Sequence, residues 1–148
     1  MTMETRSTAA AIPLLMRLNR TIYRYVDEGQ LGMTLKQFSM LNFLRDFDGS
    51  TQGHLADAMC VDANTVVLLL NALEERGFAV RERDPDDRRR HIVRLTRSGL
   101  KALVAAERAL ENVTDDVLGS LDEDERTALR GLLAKALGDG ALAVTADG

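Results

Sequence analysis

Three consecutive arginines, Arg88, Arg89 and Arg90, follow the run Asp84-Pro85-Asp86-Asp87. Asp-Pro favours a turn, because proline fixes its own φ and aspartate bonds back to nearby amides. Beyond the turn, Asp87 and Arg89 stand two residues apart, so in extended geometry they share a face. Asp87 is then placed to hold the Arg89 guanidinium in a bidentate pair. An oriented arginine suits a narrow A·T-rich minor groove, where the potential is most negative. Arg88 and Arg90 fall on the other face, where contact with backbone phosphates is expected.

A second group of polar side chains opens the run Asp62 to Arg76 (DANTVVLLLNALEER), which has helical spacing. Asp62 is the expected N-cap, bonding the amide of Asn64 or Thr65. Asn64 has the donor–acceptor pair that matches adenine in a major groove, and Thr65 can reach a phosphate or set its methyl against a thymine methyl. Plain solvation of the first turn is the other reading of both. Val66, Leu69, Leu70 and Leu73 form a buried stripe, with Val67, Leu68 and Asn71 on the other side. Outward aliphatics at Val67 and Leu68 fit either thymine-methyl contacts or packing against a neighbouring helix.

These groups need elements to position them. Gln52 to Met59 reads as a short helix with Thr51 as N-cap, separated from the Asp62 helix by Cys60 and Val61. Gly77 closes the second helix. Phe78 to Arg83 and His91 to Leu95 alternate as strands around the arginine-bearing tip. Helix, turn, helix and a charged hairpin, in that order, make a winged helix-turn-helix layout.

Around this centre, a first helix with Pro13 in its first turn is expected to run to about Glu28, ended by Gly29 and Gly32; a helix starting near Thr8 and kinked at Pro13 is the alternative. Thr34 and Gln37 form a capping box for the next helix, which carries Leu35, Phe38, Met40, Leu41, Phe43, Leu44 and Phe47. Asp48-Gly49-Ser50 reads as a turn. Thr96 or Ser98 caps a long helix, and Asp122 with Glu125 caps the last one, which Gly138 and Gly140 stop. The fold class is therefore mainly α with a small β-hairpin. Residues 34–96 form the winged helix-turn-helix lobe, 12–30 and 97–138 a helical region, and 1–11 and 139–148 flexible tails. Apolar helical surface at the two chain ends exceeds what one small core consumes. Pairing with a second copy would bury it and set two reading heads on one duplex.

Composition narrows the classes further. The 148-residue chain carries a net charge of −4, yet Arg81 to Lys101 holds eight Arg/Lys against four Asp/Glu. Phosphate binding follows this local excess rather than the average; a merely solvated charged hairpin is the competing reading. No apolar run is long enough for a membrane span, and a secretory leader is not expected. The single cysteine, Cys60, fits a reducing cytoplasm and is expected to be a small buried residue. His54 and His91 lie on different elements, so no metal site is expected. Neither a nucleophile–base pair nor a glycine-rich phosphate loop is present, which argues against an enzyme.

The run from Leu55 to Thr96 resembles the MarR (multiple antibiotic resistance regulator) family. The resemblance rests on LADAMCVDANTVVLLLNALEERGF and VRERDPDDRRRHIVRLT. Within them, Leu73-Glu74, Arg76 and Gly77 match the end of the recognition helix. Asp84, Pro85, Asp87, Arg88 and Arg89 match the wing that runs into Leu95 and Thr96. The likeness continues through Ser98-Gly99 and LDEDER, and in element order it covers residues 12 to 138. It implies a homodimer joined through the first and last two helices, and binding to a near-palindromic DNA operator, usually in repression. It assigns Arg89 to the minor groove with Asp87 as its orienting partner. It also implies release by small aromatic or phenolic compounds, for which Tyr23, Met40, Phe43 and Phe47 are the suggestive group; a plain core role is the alternative. No cofactor is implied. Many members carry a polar or basic residue near Leu68, so their base preference does not transfer. The peroxide-sensing members use a cysteine near the start of the first helix, which this chain lacks. A winged helix that binds another regulator in place of DNA is the alternative function.

Overall fold

The computed structural model describes residues 7–138. A 3₁₀ turn at Thr8–Ala10 leads into α1 (Ala11–Tyr25), followed by α2 (Glu28–Leu31), α3 (Leu35–Asp46), β1 (Ser50–Thr51), α4 (Gln52–Met59), α5 (Ala63–Glu75), β2 (Ala79–Arg83), β3 (His91–Leu95), α6 (Arg97–Leu118) and α7 (Glu123–Ala136). The chain is mainly helical with one small antiparallel sheet, as the pattern of periods predicts. The terminal segments read as tails lie partly outside the described residues; helix already begins at Thr8.

The expected first helix is two. It stops at Tyr25, and Asp27 caps the short α2 by accepting the amides of Gly29 at 2.9 Å and Gln30 at 3.4 Å. An aspartate that bonds the amides ahead of it offers the backbone an alternative to continuing the previous helix. Gly32, at φ 82°, then ends α2 in the left-handed region. The Thr34–Gln37 capping box forms as expected: Gln37 donates its amide to Thr34 Oγ1 at 3.1 Å, and Thr34 donates its own to Gln37 Oε1 at 3.0 Å.

The sheet has three strands in the order β1-β3-β2, not two. Ala79 faces Leu95 and Arg83 faces His91 across the hairpin. Ser50, expected in a turn, pairs with Val93, and Thr51 with Ile92. Two residues are too few for alternation to show in sequence. The third strand makes β3 central, which is why Ile92 and Val93 are both buried.

The chain divides into two compact units. Val26–Glu111 contains α2 to β3 and the first part of α6. Its core joins Leu31, Met33, Met40, Leu41, Leu44, Leu55, Val66, Leu70, Leu73, Ala79, Val93, Leu103 and Ala106. It therefore reaches beyond the 34–96 span read from sequence, because Leu31 and Met33 come from before it and Leu103 and Ala106 from α6. Thr96, not Ser98, starts α6: its hydroxyl accepts the Gly99 amide at 2.9 Å.

The other unit comprises α1, the end of α6 and α7. Asp122 and Glu125 form the expected capping box at the start of α7. Neither α1 nor α7 has a buried residue. Ile12, Leu14, Leu15 and Met16 on α1 and Leu132 and Leu133 on α7 are all exposed. No single helix among the described residues is long and apolar enough to cross a membrane.

Candidate nucleic-acid interface

Helices α4 and α5 meet at a bend of 108°, within the range of helix-turn-helix pairs. The turn is made by Cys60, at φ 55° and ψ 42°, a conformation that glycine usually supplies. Cys60 is exposed, which corrects the expectation of a buried residue. As the left-handed C-cap of α4 it turns the chain toward Val61 and Asp62, and its side chain stands in solvent.

Asp62 caps α5, accepting the Thr65 amide at 2.7 Å. The Thr65 hydroxyl, with that amide, holds the Asp62 carboxyl below the usual carboxylate range. Thr65 itself is half-buried, Asn64 is exposed, Val67 is half-buried and Leu68 is 61% exposed. Val66, Leu70 and Leu73 are in the core and Leu69 is half-buried, so the stripe read from sequence holds. On the outer face, Asn71 Oδ1 accepts Arg81 Nη2 at 2.6 Å, and Glu74 Oε1 accepts Arg81 Nε at 2.5 Å. These bonds tie β2 to the helix that carries Asn64.

The wing tip is ordered by two Asp–Arg pairs. Arg89 donates its amide and its Nε to Asp87 Oδ1, each at 3.1 Å, and Nη2 stands 3.5 Å from Oδ2. The Arg89 side chain is nonetheless 91% exposed. Its hydrogen bonds lower the Asp87 carboxyl below the ordinary range. The second pair spans six residues, beyond the reach of a local pattern. Arg90 Nε donates to Asp84 Oδ2 at 2.6 Å, and the Asp86 amide donates to Asp84 Oδ1 at 2.9 Å. Asp84 is buried, and its carboxyl is lowered by the Asp86 amide first and the Arg90 guanidinium second. Backbone bonds from Asp84 to Arg90 and from Arg90 to Asp87 close the same loop.

Several cations in the basic stretch are thus already paired. Arg81 is with Glu74, Arg90 with Asp84, and Arg94 with Glu82 and Asp48. Arg88 has no carboxylate partner among the described residues; its carbonyl accepts Arg83 Nη1 at 2.7 Å. Charge counting along the chain misses these pairs. The Arg94–Glu82 contact follows from hairpin register, since Arg94 faces Val80, two residues from Glu82. The Arg94–Asp48 contact needs β1 beside β3, a strand too short to carry a sequence pattern.

The aromatic group is divided. Met40 lies fully in the core, while Phe43 and Phe47 stack with centroids 4.7 Å apart and His54 meets Phe43 edge-on at 5.5 Å. Tyr23 is exposed on α1, in the other unit. No cluster of three or more potential metal ligands occurs among the described residues.

The family model described as MarR family matches residues 31–90. Similar proteins agree with it. A proposed transcriptional regulatory protein for the hcr operon of Thauera aromatica is 38% identical over 104 residues, 70% of this chain. The transcriptional repressor CouR, solved bound to a 23-mer DNA duplex, is 30% identical with a TM-score of 0.67, covering 90% of this chain and 99% of that one. The chain belongs to the MarR family. BpsR of Bordetella bronchiseptica, whose DNA binding is regulated by 6-hydroxynicotinic acid, is 27% identical with a TM-score of 0.66, covering 86% of this chain and 98% of its own. The match spans 63% of the Thauera protein's length. MarR proteins are winged-helix transcriptional regulators and not enzymes. In the winged-helix fold of the family, α4 and α5 are the helix-turn-helix pair and the β2–β3 hairpin is the wing.

Proposed function

We propose that this MarR protein is a homodimeric, sequence-specific repressor that binds a near-palindromic operator in the cytoplasm and leaves it when a small aromatic compound binds. The observation that carries the reading is the pairing of an exposed Asn64 at the start of α5 with an exposed, carboxylate-oriented Arg89 on the wing of the same compact unit. In this reading Asn64, Thr65, Val67 and Leu68 face the major groove and Arg89 enters the minor groove. Arg88 and Arg90 stand over phosphates, and Asp87 orients Arg89. CouR on its duplex supports the DNA partner, and the regulation of BpsR supports an effector of aromatic-acid type. On the DNA-binding unit, Phe43 and its stacked neighbour Phe47 are the residues proposed to receive it. The uncovered apolar side chains of α1 and α7 support pairing with a second copy.

The test is a titration on the DNA upstream of the protein's own gene and on scrambled DNA, at low and moderate salt. Six neutralised phosphates predict an affinity loss on the order of 10³-fold between about 50 and 200 mM salt. Sedimentation of the free protein should give the mass of two chains. A monomer that binds neither duplex at low salt would replace this reading with that of a protein-binding winged helix, for which the exposed Leu68 would be the anchor.

A further inference from the structure

The outward strip of α5 is Asn64, Leu68 and Asn71, spaced by four and three residues and so aligned on one helix face. Asn71 is committed to Arg81. The Asn64 side chain makes no hydrogen bond among the described residues and is free to meet a ligand. Between them Leu68 is 61% exposed, on a helix whose other large aliphatics are buried or half-buried. A leucine held in water at the centre of a polar strip gains by meeting an apolar surface. Its position names that surface. Leu68 is one helical turn, about 6 Å, from Asn64, on the face through which a recognition helix meets base edges. The one apolar group that the major groove presents is the C5 methyl of thymine.

We propose that Leu68 is a specificity-determining residue that reads a thymine methyl, about two base pairs from the base that Asn64 addresses. The inference rests on the operator-binding reading and deepens it, by naming the group that the centre of the helix recognises. Asn64 supplies hydrogen-bond readout and Leu68 supplies methyl readout, so a cytosine in place of that thymine is rejected without any clash.

The test uses the full chain and duplexes selected with it from a random-sequence library. Each thymidine of a selected duplex is replaced in turn by deoxyuridine, which removes one methyl and keeps every base-pair hydrogen bond. The expected profile is a loss of about fourfold, the transfer value of one buried methyl group, at one thymidine per half-site. In Leu68→Ala that position becomes insensitive to uridine, while the profile elsewhere and the thermal midpoint stay as in the wild type. A flat uridine scan on a duplex that binds, or an unchanged profile in Leu68→Ala, overturns methyl reading and leaves operator binding standing. Failure to select any duplex, with no binding at low salt, overturns both.

Discussion

Arg90 Nε lies 2.6 Å from Asp84 Oδ2, so the wing loop is closed on itself by one buried carboxylate. Asp84 also receives the Asp86 amide, and the two interactions lower its carboxyl below the ordinary value of about 3.9. A carboxylate depressed in the folded state contributes stability that is present above the unfolded pKa and is lost as pH falls through the folded one. Asp62 and Asp87 are depressed in the same direction.

Acidification should therefore destabilise this protein in the range below about pH 4. The urea midpoint, measured from pH 6 downward, should fall as the three carboxylates protonate. In Asp84→Asn combined with Arg90→Gln the fall should be smaller but still present, because Asp62 and Asp87 still titrate. A double variant with the full wild-type acid dependence would show that the pair does not link the wing to folding.

Wing substitutions should separate two kinds of arginine. Arg89→Ala removes a carboxylate-oriented, 91% exposed guanidinium and should cost on the order of 1–3 kcal/mol of operator affinity, chiefly where the flanking sequence is A·T-rich. Arg88→Ala removes a cation without a carboxylate partner among the described residues. It should weaken all duplexes alike and flatten the log–log salt slope by about one unit. Fluorescence anisotropy over a salt series distinguishes them. Equal, sequence-independent losses in both variants would contradict a groove role for Arg89.

What could be read from sequence followed the strength of its local signal. The capping boxes at Thr34 and Asp122, the caps at Thr51 and Asp62 and the buried stripe of α5 depend on residues three or four apart, and all are in place. The Asp87–Arg89 pair is equally local. The break after Tyr25 has no local signal, because helical periodicity runs on past it into Val26 and Asp27, a capping residue, falls within that period. β1 exists through pairing with β3, some forty residues on, which no local pattern encodes. The Asp48–Arg94 contact, which needs that pairing, is out of local reach too. Cys60 departs from expectation because a residue type reports average burial, whereas its left-handed backbone turns this side chain to solvent.

The start of α6 should not accept even one methyl group. A Cβ on Gly99 would lie 2.0 Å from the Phe78 carbonyl oxygen and 2.8 Å from Leu95 Cδ1. That carbonyl already accepts the Thr96 amide, and Thr96 Oγ1 donates to the Gly77 carbonyl at 2.6 Å. Gly99→Ala must therefore displace backbone, with an expected loss of about 3 kcal/mol. Ser98→Ala, exposed one residue earlier, should stay within about 0.5 kcal/mol of wild type. Chemical denaturation of both variants checks the contrast, and a Gly99→Ala protein as stable as Ser98→Ala would refute the close approach.

The turn of the helix-turn-helix should respond in the opposite sense. Cys60 holds φ 55°, the one non-glycine residue with positive φ among the described residues. A side chain in the left-handed helical region costs about 1–2 kcal/mol. Glycine removes that cost but loses about 0.5–1 kcal/mol through greater freedom of the unfolded chain. The thiol is exposed and its nearest hydrogen-bond acceptor, the Asp57 carbonyl, is 3.8 Å away, so little packing is lost with it. Cys60→Gly should therefore stabilise the protein by up to about 1.5 kcal/mol. Cys60→Ala, which keeps Cβ, should change it little. Denaturation under reducing conditions gives the ranking, and a glycine variant no more stable than the alanine variant would mean that the turn carries no left-handed strain.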